Sequence, residues 1–130
     1  YAAAELVKAM IKRGHTIANS RVLVMGLTFK ENCPDLRNTR VIDVVNELKD
    51  FGCQVDVTDC WASNEEAEHE YGISLVAEPK AGEYDAVFLA VPHREYAGLS
   101  AEQLRAYTNG NGVLFDLKGV LPLGQADLRL

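Results

Sequence analysis

Five short apolar segments along the chain predict β-strands. Val22–Met25 and Ala86–Val91 are almost continuously apolar, which is typical of strands covered on both faces of a parallel sheet. Gln54–Asp59 alternates apolar and polar residues, and Val113–Asp116 is the last clear strand. Ile73–Val76 predicts a short strand at an edge of the sheet.

Helical periodicity separates these runs. In Tyr1–Arg13 and Val41–Phe51 the apolar residues recur three and four positions apart, so they share one face of a helix. Weaker helices are predicted over Ala62–Tyr71 and Leu99–Tyr107. The alternation predicts the α/β class: a three-layer Rossmann-like sandwich with a mostly parallel sheet of about five strands, preceded by the end of a linking helix.

Three local signals complete the expected architecture. Ser100 and Gln103 fit a capping box at the start of the last helix. Asn109–Gly112 predicts a turn, because it alternates asparagine and glycine. Leu117–Leu130 contains a proline and two glycines, and we expect loop and tail there.

Composition narrows the function classes. The chain has 130 residues, 48% of them hydrophobic and 25% charged, which favours one ordinary globular domain. The net charge of −6 gives no support for binding to nucleic acid or to a membrane surface. Three cysteines without paired spacing argue against a disulfide framework and a structural zinc site, and favour a reducing, cytoplasmic setting.

The segment between the first strand and the next helix is longer than packing needs. In α/β sheets, ligands bind where such loops leave the carboxyl ends of the strands. Lys30 and Arg37 offer two cations that suit a diphosphate, and Asp35 can orient Arg37 by a salt bridge. The alternative is a solvated loop whose ion pairs are worth little.

Two more polar residues follow strands at the same predicted edge. His93 comes after the strongest strand and Lys118 after the last one. Together with Lys30 and Arg37, they are expected to converge by topology. A lone histidine in such a position is more often a loop residue than a catalyst, and we interpret His93 in that way.

Several standard sites are absent from the sequence. Only Gly26 stands where a dinucleotide fingerprint needs three glycines, so this domain is not expected to hold a dinucleotide in the standard way. The central strand ends in Ala90–Pro92 without the aspartate of a phospho-receiver domain. Cys33 has no histidine close in sequence to activate it as a nucleophile.

The run from Gly26 to Thr39 reads Gly-Leu-Thr-Phe-Lys-Glu-Asn-Cys-Pro-Asp-Leu-Arg-Asn-Thr. It resembles the C-terminal domain of the UDP-glucose/GDP-mannose dehydrogenase family, and within it the branch that oxidises UDP-N-acetyl-hexosamines to uronic acids for bacterial surface polysaccharides. Further matching marks are Asp59 and Trp61, Ala90–His93 and Phe115–Lys118.

The resemblance implies an NAD-dependent oxidation of the sugar C6 alcohol to a carboxylate. An N-terminal domain would hold NAD, and the C-terminal domain would close over the UDP moiety. Phe29 and Lys30 would contact the UDP-sugar, with Lys118 near a further basic contact. Arg37 would reach the NAD that is bound to the opposite domain.

The resemblance also implies a domain division and a partial enzyme. Residues 1–19 would be the end of an inter-domain helix with its linker, and residues 20–130 the UDP-sugar-binding domain. The family's catalytic cysteine motif and catalytic lysine do not occur here, and Cys60 stands where the family often has proline. We therefore expect no catalytic residue and no metal site in this chain, and no activity from it alone.

The expected partners are a UDP-sugar and the N-terminal NAD-binding domain of the full-length chain. The full-length enzyme is expected to be a homodimer or a larger assembly. Neither nucleic acid nor a membrane is expected as a partner. The alternative hypothesis is a free-standing nucleotide-binding or interaction module without catalysis.

Overall fold

The computed structural model describes residues 1–129, in which strands and helices alternate. The strands are β1 (Arg21–Met25), β2 (Gln54–Thr58), β3 (Tyr84–Leu89), β4 (Thr108–Asp116) and β5 (Leu128–Arg129). The helices are α1 (Ala2–Lys12), α2 (Val41–Asp50), α3 (Asn64–Tyr71), α4 (Arg94–Ala97) and α5 (Ala101–Arg105). All neighbouring strands are parallel, in the order β2-β1-β3-β4-β5.

Each central strand buries both of its faces. In β1, Val22 and Val24 face the layer that contains α1 and α2, whereas Leu23 and Met25 face the layer with α4 and α5. This division follows from the two-residue period of a strand. The predicted three-layer Rossmann-like sandwich is therefore confirmed, including its five-stranded parallel sheet.

The strand order reverses its direction between β1 and β3. The chain leaves β1 through α2 to reach β2 on one side, and it leaves β3 through α4 and α5 to reach β4 on the other. The carboxyl ends of β1 and β3 thus flank a topological switch point, which is the usual ligand crevice of an open α/β sheet.

The predicted strand over Ile73–Val76 is wrong. The segment lies beside β2, where the Val76 amide donates to the Val57 carbonyl at 2.8 Å, but no strand forms. The Leu75 amide donates instead to the Asn64 side chain at 2.7 Å. Because α3 takes this hydrogen bond, the segment cannot extend a ladder along the sheet edge.

The Asn109–Gly112 turn is also wrong, since these residues lie inside β4. Thr108 pairs with Tyr84 and Val113 pairs with Ala86, so the intervening residues form a bulge. The tail is not all loop either, because β5 adds a fifth strand beside the end of β4. Leu130, the last residue of the predicted tail, lies outside the described residues.

Serine side chains cap two of the helices. Ser63 accepts a hydrogen bond from the Glu66 amide at the start of α3, and Ser100 forms the predicted capping box with Gln103. The short helix α4 was not anticipated, because four residues are too few to show a periodic pattern.

The carboxyl end of helix α1 is hydrogen-bonded to the sheet. Its buried residues Ala3, Leu6, Val7 and Met10 pack in the same core as α2. Arg13 donates to the Gly112 carbonyl at 2.7 Å. Within residues 1–129, no helix combines the length and the apolar character needed to cross a membrane.

Asp127 joins three elements near the end of the chain. Its carboxylate pairs with Arg13 after α1 and with Arg105 of α5, the latter at 2.9 Å, and it accepts the Leu114 amide of β4 at 2.8 Å. Burial alone would raise the pKa of Asp127, but the Arg105 and Leu114 hydrogen bonds and the arginine charges outweigh it, so the pKa is lowered.

Candidate functional site at the carboxyl edge of the sheet

The loop between β1 and α2, residues 26–40, is called the edge loop. It begins at Gly26, whose φ of +97° lies in the region that favours glycine. The Gly26 amide donates to the Thr58 carbonyl at 2.8 Å, and the Met25 carbonyl accepts the amides of Ala90 and Val91. The start of the edge loop is therefore fixed over the switch point.

Asp59, directly after β2, holds the next residues of the edge loop. One carboxylate oxygen accepts the Leu27 and Thr28 amides at 2.6 and 3.0 Å. The other accepts the Trp61 and Ala62 amides at 2.7 and 3.0 Å. This side chain has no solvent exposure, and its two oxygens are hydrogen-bonded by these amides and lie beside a histidine.

That histidine is His93, and it is fully buried. Its Nε2 atom lies 3.0 Å from Asp59, and its Nδ1 atom accepts the Asn32 amide at 2.9 Å. Trp61 stacks on the imidazole with a centroid distance of 5.9 Å. His93 lies at the expected edge, but it is a packed residue of the loop framework and is not open to a ligand.

Phe29 and Lys30 lie between these fixed points and face solvent. Phe29 is 56% exposed, and Lys30 is exposed as well. The Phe29 amide donates to the Asp35 carbonyl at 2.8 Å, and the Thr28 hydroxyl donates to the Lys30 carbonyl at 3.0 Å. The backbone is thus held while both side chains project outward.

Lys118 lies in an equally ordered turn after β4. The buried Asp116 carboxylate accepts the amides of Gly119, Val120 and Leu121 at 2.8 to 3.1 Å. The Leu117 amide donates to the Leu89 carbonyl, which joins this turn to the end of β3. The exposed Lys118 ammonium is therefore carried on a fixed backbone.

A cleft of about 290 Å³ opens between the edge loop and the Lys118 turn; it is called the edge cleft. Phe29 and Lys118 stand on its rim, and Ala90 and Val91 contribute to its wall. The first turn of α2 also lines it. A helix amino terminus and a lysine both favour an anion at this place.

Arg37 lies away from the edge cleft, on a shallow surface shared with Cys33, Pro34 and Glu66. The expected ion pair with Asp35 is present, with Arg37 Nε 3.0 Å from the carboxylate. Hydrogen bonds from the Arg37 side chain and amide lower the pKa of Asp35. The structure therefore brings Phe29 and Lys118 together and separates them from Arg37.

All three cysteines are free thiols. Cys53 is buried, and burial raises the pKa of its thiol. Cys60 is exposed, yet partial burial is the main cause of the raised pKa of its thiol. Within residues 1–129, no group of three or more histidine, cysteine or acidic side chains is arranged to hold a metal ion.

Sequence reasoning missed the anchoring role of Asp59. Its signals were an acidic residue directly after a strand, which many surface turns share, and its place among the residues that match the family; neither signal specifies which groups the carboxylate binds. Its partners are mostly backbone amides of a distant loop, and a backbone amide leaves no mark in a sequence.

The parallel sheet, its switch point and the edge cleft define a doubly wound α/β domain with a ligand crevice at its carboxyl edge. A sequence profile described as "UDP-glucose/GDP-mannose dehydrogenase family, UDP binding domain" matches residues 23–122. The chain belongs to this family, which confirms the resemblance found in the edge loop.

Similar proteins agree with this assignment. Over all 130 residues the chain is 52% identical to UDP-N-acetyl-D-glucosamine 6-dehydrogenase of Pseudomonas aeruginosa and 49% identical to the protein of the same name from Salmonella typhi. It spans 31% of the length of each. A solved UDP-D-ManNAc dehydrogenase from Pyrococcus horikoshii shares the fold, with a TM-score of 0.76 at 20% identity, over 98% of this chain and 29% of that one.

Proposed function

We propose that this chain is the nucleotide-sugar-binding domain of an NAD-dependent UDP-N-acetyl-hexosamine 6-dehydrogenase. The whole enzyme would oxidise the sugar C6 alcohol to a uronic acid for polysaccharide biosynthesis in the cytoplasm. Family membership and the names of the two relatives that match the whole chain support this proposal. Those names favour N-acetylglucosamine as the hexosamine.

The edge cleft is the observation that carries the proposal. It places Lys118, the rim residue Phe29 and the amino terminus of α2 around one opening at the switch point. A diphosphate suits the positive groups, and the exposed Phe29 ring offers an apolar contact for the rest of the nucleotide-sugar. Lys30, the exposed residue that follows Phe29, would supply a second ammonium.

The residues of this domain could make only a peripheral contact with NAD. The edge loop has Gly26 alone of the dinucleotide fingerprint, and α2 begins far downstream at Val41, so no pyrophosphate cradle forms after β1. Arg37 can still reach a cofactor held by another domain, because its side chain is 78% exposed. When bound there, NAD accepts the hydride that each of the two oxidations removes from C6.

The contribution of this chain is therefore binding and orientation, with no catalytic residue assigned to it. The domain division between residues 1–19 and 20–130, the N-terminal NAD-binding partner domain and a homodimer or larger assembly are parts of the same proposal. With half of its site on another domain, this chain alone is expected to bind UDP weakly and to be inactive.

Steady-state kinetics of the full-length enzyme test these roles. Lys30→Ala should raise the KM for UDP-sugar about tenfold and leave the KM for NAD unchanged, because one charged contact is lost. Arg37→Ala should do the reverse. Lys49→Ala, an exposed lysine on α2, is the control. If neither KM moved, the assigned roles would be wrong, and tight UDP binding by this chain in calorimetry would favour a free-standing module.

A further inference from the structure

Phe29–Lys30, called the loop tip, has hydrogen bonds within the edge loop to Asp35 and Thr28, and it also lies between two positions whose amides are bound by buried side chains. On its amino side the Thr28 amide donates to Asp59. On its carboxyl side the Asn32 amide donates to His93. Both acceptors are buried side chains that belong to other loops of the same sheet edge.

The bond to His93 defines the tautomer of the imidazole. Because Nδ1 accepts the Asn32 amide, it carries no hydrogen, so the ring hydrogen is on Nε2, which lies 3.1 Å from the Asp59 carboxylate and 3.2 Å from the Thr28 hydroxyl. Asp59, His93 and the Asn32 amide therefore form one directed chain of hydrogen bonds. It joins the ends of β2 and β3 to the edge loop.

Asn32 makes a further hydrogen bond, through its side chain, beside this series of hydrogen bonds. Its side-chain oxygen accepts the Arg94 amide at 2.8 Å, and its backbone has a positive φ of +57°. Asn32 is itself exposed, so these contacts do not arise from burial of its side chain. They fix the path of the backbone that leaves the loop tip.

We propose that Asp59 and His93 are positioning residues, which hold the loop tip through the amides of Thr28 and Asn32 in the conformation that receives a nucleoside diphosphate sugar. Neither side chain touches the substrate. Their effect is to remove the cost of ordering the loop when the sugar nucleotide binds. The inference rests on the proposed role of Lys30 in the section above.

Two substitutions test the roles of the two imidazole nitrogens separately. His93→Asn keeps an oxygen near the Nδ1 position, where it can accept the Asn32 amide, and loses the donor to Asp59. His93→Gln keeps a donor near the Nε2 position and leaves the Asn32 amide without its acceptor. Both variants lose the stacked ring, so both should lower the melting temperature.

Steady-state kinetics of the full-length enzyme provide the readout. We expect the KM for UDP-sugar to rise about tenfold in His93→Gln and less than about threefold in His93→Asn, with kcat and the KM for NAD near wild type. His69→Gln, an exposed histidine on α3, is the matched control. Equal KM values for both variants, or a loss of kcat without a change of KM, would overturn the proposal.

A double variant tests whether His93 acts through the loop tip. If it does, His93→Gln should raise the KM by a smaller factor in the Lys30→Ala background than in the wild type, because one of the two side chains that it positions is already gone. Fully additive effects would contradict the inference alone. If Lys30→Ala by itself left the KM for UDP-sugar unchanged, the proposed function of Lys30 would fail, and the positioning role would fail with it.

Asn32 offers a route that leaves the buried residues intact. Asn32→Gly keeps the amide and tolerates the positive φ, but it removes the tie to Arg94, whereas Asn32→Asp keeps an acceptor there. We expect the KM for UDP-sugar to rise several-fold in Asn32→Gly and much less in Asn32→Asp. No difference between these two variants would contradict the positioning of the loop tip, even if the His93 variants failed to fold.

Discussion

A Cβ atom added to Gly26 would lie 2.5 Å from the Cβ of Val91 and 2.7 Å from the Val91 amide nitrogen. The two residues meet where the end of β1 passes the segment after β3. This contact permits the edge loop to start directly above the switch point, and it leaves no room there for any side chain. Gly26 is thus required by its neighbour as well as by its positive φ.

Gly26→Ala should destabilise the chain by roughly 2–5 kcal/mol, since overpacking against Val91 adds to the cost of the positive φ. Urea unfolding measures the difference. Gly110→Ala is a matched control, because Gly110 has the same φ of +97° but nothing within 4 Å of its added Cβ. Equal losses from both substitutions would show that the contact with Val91 carries no penalty.

Phe29→Ala should leave the free energy of unfolding within about 0.5 kcal/mol of wild type, because the ring is largely exposed. In the full-length enzyme it should raise the KM for UDP-sugar several-fold, since the ring stands on the rim of the edge cleft. Phe51→Ala removes a ring that is 46% exposed at the end of α2 and serves as the control. A KM that stayed at the wild-type value would remove Phe29 from the binding site.

Asp35→Ala should raise the KM for NAD, but by less than Arg37→Ala does. The carboxylate accepts both the amide and the guanidinium of Arg37, so its loss frees the side chain without removing it. Asp35→Asn keeps an acceptor and should have a smaller effect. The exposed Asp43→Ala on α2 controls for the change of charge. A larger effect of Asp35→Ala than of Arg37→Ala would contradict this order of action.

Asp127→Asn should cost roughly 1–2 kcal/mol at pH 7, because the two arginines lose their charged partner. The folded-state pKa of Asp127 is lowered, so its stabilisation is present above the ordinary aspartate pKa and is lost as the pH falls through the lowered value. Urea unfolding at pH 7, 5 and 3 should therefore show the gap to wild type narrowing at pH 3. Asp50→Asn, exposed at the end of α2, should show no such trend.

The fold could be predicted from apolar segments in which the pattern of buried residues follows from the geometry of one strand or helix. Val22–Met25 is apolar on both faces because helices cover both faces of β1, and this pattern survives in the sequence alone. Ile73–Val76 is apolar as well, but its amides are divided between a side chain of α3 and the edge of β2. Which acceptor wins depends on where α3 lies, and a local pattern does not contain that information.

For the candidate site, the sequence predicted the edge of the sheet on which the charged residues lie but not their arrangement along that edge. The lysines and Arg37 could be placed at the carboxyl edge from topology, since parallel strands end on one side. The separation of Lys118, in the edge cleft, from Arg37, on a distinct surface, depends on the path of the edge loop. That path depends on the buried pair Asp59 and His93. These two residues lie in loops that are distant in the sequence, so no rule of residue spacing could predict their contact.

The bulge in β4 has a mechanical consequence. The Asn111 side chain donates to the Arg13 carbonyl, and Arg13 donates to the Gly112 carbonyl, so the end of α1 is bound to the strand that carries Lys118 at its other end. The end of α1 and the bulge of β4 are therefore joined by two reciprocal hydrogen bonds. A displacement of α1 would therefore be transmitted along β4 toward the edge cleft, which lies at the opposite end of that strand.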